Sequence, residues 1–158
     1  MHVPSTHIQA LRQITERVGD AAVDWVLTGS TGMAAQGMPC DVHDIDIQTD
    51  RTGAYQLAEL LEDYVVVPVR YLESTLIRSH LGEYEVFGVK VEVMGAVEKL
   101  VDGVWEPPVD VREHRLWQDL HGLAVPVLDL EHEVEAYTKM GRIEKAERLR
   151  SWLAGQEK

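Results

Sequence analysis

Apolar residues recur at helical spacing near the start of the chain. Ile8, Leu11, Ile14 and Val18 share one face of "IQALRQITERVG", and Gly19 closes that helix. "AVDWVL" reads as a short buried strand ending at Thr28, and the small residues of "STGMAAQG" predict a helix starting just after Gly29. "HDIDIQT" alternates as a second strand, followed by a helix over "GAYQLAELLEDY". "VVVPVRY" is a third strand, which Pro68 makes an edge or bent one. "SHLGEYEVFGVKVEVMG" predicts a hairpin turning near Phe87-Gly88, with a strongly alternating second arm. "LVDGVWEPPVDVREH" carries a Pro-Pro pair and reads as a surface excursion. "RLWQDL" and "LAVPVL" form another strand pair, and "DLEHEVEAYTKMGRIEKAERLRSWL" is helical, two helices bent at Gly141. The expectation is an α/β (α+β) fold, a twisted mixed β-sheet flanked by helices. It forms a single domain over residues 1–158, with a core of about 20–128 and a helical C-terminal segment of about 129–156.

Composition narrows the classes. With 158 residues, 45% hydrophobic and 27% charged, the chain can bury one full core. No apolar run approaches the ~20 residues needed to cross a bilayer. "MHVPSTHIQALRQI" lacks the basic region and apolar core of a secretory signal. Cys40 is the only cysteine, which excludes an intramolecular disulfide and a cysteine-type structural zinc site. A cytoplasmic location is the simplest expectation. Net charge is −12, from 27 acids against 15 bases, and glutamates interrupt the densest basic stretch, "KMGRIEKAERLR". Extended nucleic acid, bound through its phosphates, is therefore not the expected partner. A small anionic ligand held by a metal and a few local bases stays open.

The candidate chemistry lies in the acids. Side chains alternate along a strand, so Asp44 and Asp46 point to one face while Ile45 and Ile47 point to the other. In "VKVEVM", Lys90, Glu92 and Met94 share one side and Val89, Val91 and Val93 the other. If the two strands are neighbours, Glu92 completes a triangle with the aspartates. Oxygen ligands so arranged suit Mg²⁺ or Mn²⁺, and two such ions could clamp the attacking and leaving oxygens of a phosphoryl or nucleotidyl transfer. The plain alternative is the wet face of a half-exposed sheet. Gly29 and Ser30 add to the first reading, because a glycine at a strand-to-helix corner lets backbone approach a ligand and a helix start favours phosphate. An ordinary tight turn would look the same. Neither GxxxxGK[ST] nor GxGxxG occurs.

Glycine-serine at 29–30, Asp44-Ile45-Asp46-Ile47, and a lone Glu92 in an apolar strand together resemble the DNA polymerase β-like nucleotidyltransferase superfamily. Within it the chain is similar to the small bacterial and archaeal branch around aminoglycoside and lincosamide nucleotidyltransferases and AbiEii-type toxins. The resemblance implies that Gly29 and Ser30 hold the β- and γ-phosphates of an NTP, most simply ATP. It implies that Asp44 and Asp46 ligate Mg²⁺ or Mn²⁺, and that Glu92 ligates metal, acts as base on an acceptor hydroxyl, or both. In "YTKMGR" it offers Lys139 and Arg142 as nucleotide contacts. The chain departs from the family pattern at Asp41 and His43, where an arginine and a threonine are frequent, at Thr28, where an apolar residue is usual, and at Lys145-Ala146, where Lys-Asp is familiar. His43 and His80 flank the site in sequence without an assigned role. The expected activity is metal-dependent transfer of a nucleoside monophosphate to a hydroxyl of an unidentified acceptor. The alternative is an inactive nucleotide- or partner-binding module, such as half of a toxin–antitoxin pair.

Overall fold

The computed structural model describes residues 3–156, and among them eight strands and five helices form a single mixed sheet with helical cover. The elements are α1 (Ser5–Val18), β1 (Trp25–Thr28), α2 (Gly29–Ala35), β2 (Ile45–Thr49), α3 (Arg51–Leu60), β3 (Val65–Glu73), β4 (Ile77–Val86), β5 (Val89–Val101), β6 (Val104–Trp105), β7 (Arg115–Leu120), β8 (Leu123–Leu128), α4 (Leu130–Lys139) and α5 (Ile143–Gln156). Strands run in the order β3-β4-β5-β2-β1-β8-β7, with β6 hanging on β5. Two pairings are parallel, β2 with β5 and β1 with β8, and the other pairings along the sheet are antiparallel.

The hydrophobic pattern explains this layout. Ile45 and Ile47 of β2, with Val91 and Val93 of β5, are fully buried in one cluster with Leu11 and Ile14 of α1 and Ala54 and Leu57 of α3. That face is dry, so the alternating positions Asp46, Gln48, Glu92 and Met94 are left on the other. A second cluster, Met33, Met38, Leu130, Val134, Tyr137, Ala146 and Leu149, ties α2 to α4 and α5.

Several boundaries differ from the sequence reading for identifiable reasons. Helix α3 starts two residues early because Asp50 caps it, accepting the Gly53 N–H at 2.6 Å, and it ends at Leu60 ahead of a 3₁₀ turn over Glu62–Tyr64. Strand β5 runs past Gly95 to Val101 and folds back as β6 through Asp102-Gly103, both at positive φ. An Asp-Gly pair is a strong signal for a two-residue hairpin, so part of the expected surface excursion is strand. Pro68 does sit in an edge strand, and the β3–β4 register is irregular between Val65 and Arg70. The last two helices break at Gly141, whose φ is +76°. Among the described residues no helix is long and apolar enough to cross a membrane.

Candidate active site

Parallel pairing of β2 with β5 places Asp46 directly opposite Glu92, both on the face away from α1 and α3. On its other side Asp46 is the register partner of Thr28, the last residue of β1. The chain then turns sharply into α2 at Gly29, whose φ is +66°. A Cβ at Gly29 would collide with Asp46 Oδ2, so only glycine lets the corner close on the carboxylate. Two hydrogen bonds staple α2 to the segment before β2: the Ser30 hydroxyl oxygen accepts the His43 N–H at 3.0 Å, and the Thr31 hydroxyl donates to the Asp44 carbonyl at 2.8 Å. Asp44 sits one residue ahead of the strand.

The acids load this corner with negative charge. Burial first, then Glu92 and Asp44, pushes the Asp46 carboxyl up to about 7, while Lys145 and Lys90 oppose the rise. The Lys90 ammonium lies 3.1 Å from Glu92 Oε1 and 3.9 Å from both Asp44 Oδ2 and Glu83 Oε1. Its pKa is raised chiefly by the hydrogen bond to Glu92.

Across from the strands, α4 and α5 close a cavity of about 300 Å³. Asp46, Gln48, Glu92 and Met94 form the sheet wall, and Glu133, Tyr137, Arg142 and Lys145 line the helical side. Lys145 also lines a neighbouring hollow of about 210 Å³ with Ser30, His43 and Arg148. Among the described residues, Arg142, Lys145 and Arg148 take part in no ion pair. Arg142, just ahead of α5, and Lys145 and Arg148 in its first two turns put positive charge beside the carboxylates, in a chain of charge −12.

Of the residues singled out in the sequence, Asp46, Glu92 and Arg142 line the larger cavity, Ser30 lines the smaller, and Asp44 reaches the cluster through Lys90. Lys139 lines neither, and its ammonium lies 3.3 Å from Glu106 Oε2. The Gly29 N–H is directed at Glu133 Oε1, 3.3 Å away. His43 lines the smaller hollow, whereas His80 is bonded to the Tyr55 hydroxyl of α3 at 3.0 Å.

Glu133 is the cavity-lining residue that the sequence did not announce. It is 4% exposed, and its Oε1 accepts the Thr28 hydroxyl as well as the Gly29 N–H. Its Oε2 is buried without a partner. Burial dominates in pushing this carboxyl up to about 7. The one available signal was Thr28 itself, a hydroxyl at the end of the otherwise apolar strand β1.

By donor type, the carboxylates fit a hard divalent ion: all are oxygen ligands, and the cluster already draws in an ammonium. Among the described residues they do not converge as a closed ligand set, and the Lys90 ammonium pairs with Glu92, Asp44 and Glu83.

Known proteins share this fold. Residues 10–153 match the aminoglycoside-2''-adenylyltransferase family. A candidate nucleotidyltransferase from Thermotoga maritima, solved as a crystal structure, is 44% identical over 97% of this chain and 96% of its own, with a TM-score of 0.85. The antibiotic-resistance factor ANT(2'')-Ia, crystallised with adenylyl-2''-tobramycin, is 13% identical over 98% of this chain and 100% of its own, with a TM-score of 0.56. The lincosamide antibiotic adenylyltransferase LnuA, bound to lincomycin, is 14% identical over 89% of this chain and 96% of its own, with a TM-score of 0.55. At those identities the last two establish a shared fold alone. Among curated proteins none matches the chain by sequence.

Proposed function

The chain belongs to the aminoglycoside-2''-adenylyltransferase family, and from that premise we propose that it moves a nucleoside monophosphate, AMP from ATP in the first instance, to a hydroxyl of a small acceptor. Pyrophosphate leaves, and the reaction depends on Mg²⁺ or Mn²⁺. One observation carries this reading: the paired carboxylates Asp46 and Glu92 face the unpaired bases Arg142 and Lys145 across a single cavity. A metal-bound polyphosphate needs both signs of charge in one cavity, whereas the wet face of a sheet needs neither.

Asp44, Asp46 and Glu92 are the residues that would hold the ion. A bound Mg²⁺ supplies charge neutralisation for the attacking and leaving oxygens. Arg142, Lys145 and Arg148, with Ser30, grip the polyphosphate. Gly29 keeps the corner tight against Asp46. Glu92, on the cavity wall, takes the proton of the acceptor hydroxyl. Lys139, held by Glu106, is left to support the helix end. The rate gain comes mainly from holding the acceptor oxygen and the nucleotide in line.

The named relatives indicate which acceptors to try first. ANT(2'')-Ia was crystallised with an adenylylated tobramycin and LnuA with lincomycin. A net charge of −12 suits a polycationic amino sugar. The test is incubation with α-labelled ATP, Mg²⁺ and a panel of hydroxyl-bearing antibiotics. Label should pass to an acceptor, with pyrophosphate, only when metal and acceptor are both present, and Glu92→Gln should cut that transfer by about 10²- to 10³-fold. Phosphate release without acceptor would point to a phosphohydrolase instead. Nucleotide binding with no turnover across the panel would favour the inert binding module.

A further inference from the structure

A fourth carboxylate, Glu83 on β4, faces Glu92 directly across the antiparallel β4–β5 pair. Like charges so placed destabilise a sheet unless something stands between them. Lys90 does: it is two residues from Glu92 on β5, hence on the same face, and its ammonium touches Glu92, Glu83 and Asp44 at once. Its backbone is fixed in the strand, but its side chain is 49% exposed and so free to swing.

We propose that Lys90 is a tethered competitor for the divalent ion, so that metal binding must displace its ammonium from Glu92. The inference rests on the metal-dependent reading above. A carboxylate oxygen that receives an ammonium at 3.1 Å cannot also take a divalent cation at bonding distance without setting two like charges side by side. Glu83, 3.9 Å from the ammonium and already paired with it, is where Lys90 rests once it has let go of Glu92. The consequence is functional. With its charge supplied from within, the acid cluster takes free metal weakly. Polyphosphate oxygens add the missing ligands and negative charge, so metal and nucleotide bind together rather than metal first.

The test is Mn²⁺ alone, titrated calorimetrically into the full chain without nucleotide. Lys90→Met should bind Mn²⁺ at least about fivefold tighter than wild type, since one opposing charge is gone. Lys90→Arg, which keeps the charge, should stay close to wild type. In EDTA the thermal midpoint of Lys90→Met should fall below that of wild type, and saturating Mn²⁺ should close the gap. Glu83→Gln should weaken Mn²⁺ binding in the wild-type background and have little effect in Lys90→Met, because it acts through Lys90. Wild type that binds Mn²⁺ with Lys90→Met binding equally or less tightly overturns the role of Lys90 and leaves the metal reading standing. No Mn²⁺ uptake by either protein overturns both.

Discussion

Asp46 and Glu92 are register partners on adjacent parallel strands, and each is the only acid of its strand on the cavity wall. Neutralising either should cost turnover by about 10²- to 10³-fold, the range seen when a preorganised charge-stabilising group is lost. Asp46→Asn should also raise the thermal midpoint in EDTA near pH 8, since burial and its acidic neighbours oppose charge at this position. Pyrophosphate release and thermal melts on the same samples check both halves. A stability loss matching the activity loss would mark Asp46 as structural.

Gly29→Ala probes the corner that fixes Asp46. The added methyl meets Asp46 Oδ2, and φ of +66° disfavours any side chain. We expect a destabilisation of about 1–2 kcal/mol by urea titration. Turnover should fall much further than that unfolding explains, because the carboxylate itself is pushed aside.

Lys145 and Lys139 distinguish the proposed nucleotide site from its surroundings. Lys145 lies between the two hollows and acts on both Asp46 and Glu133, whereas Lys139 is paired with Glu106. Lys145→Ala should raise KM for ATP by at least about tenfold, as expected for a lost charge-assisted contact. Lys139→Ala should stay within about twofold on the same scale. Steady-state kinetics on both variants decide it, and the reverse order would return the nucleotide contact to Lys139.

Glu133 predicts a pH dependence of stability. Its carboxyl sits at about 7 in the folded protein against 4.5 ordinarily, so the folded state holds the proton more tightly than the unfolded chain. The stability this brings is complete below about 4.5 and fades as pH rises through about 7. Glu133→Gln, neutral throughout, should therefore match wild type near pH 5 and exceed it by about 2 kcal/mol near pH 8. Urea denaturation at the two pH values checks this, and a gap that does not change with pH would contradict it.

Most of the fold was legible because alternation and helical periodicity are local. Ile45, Ile47, Val91 and Val93 declare which face is dry, and so which face carries Asp46 and Glu92. Pro68, Gly141 and the Phe87-Gly88 turn marked an edge strand, a helix break and a hairpin through backbone geometry alone. The extension of β5 into β6 is marked only by the Asp102-Gly103 pair, and the prolines at 107 and 108 just beyond it favour a surface excursion. What stayed hidden depends on long-range packing. Glu133 looks like any glutamate on the helix "LEHEVEAYTK", and only docking of α4 against the Thr28–Gly29 corner buries it. Likewise Lys139 and Lys145 are equally basic in sequence, and across the turn at Gly141 only Lys145 lines the cavity with Asp46 and Glu92.

The central claim is that Asp44 and Asp46, with Glu92, form one metal-holding unit for a nucleotide. Calorimetric titration of ATP into wild type and into Asp44→Asn/Asp46→Asn, each with Mg²⁺ and again with EDTA, tests it most directly. The account predicts binding by wild type that needs Mg²⁺, and none of comparable affinity by the double variant. Equal binding by both proteins, or binding by wild type that ignores EDTA, would contradict it.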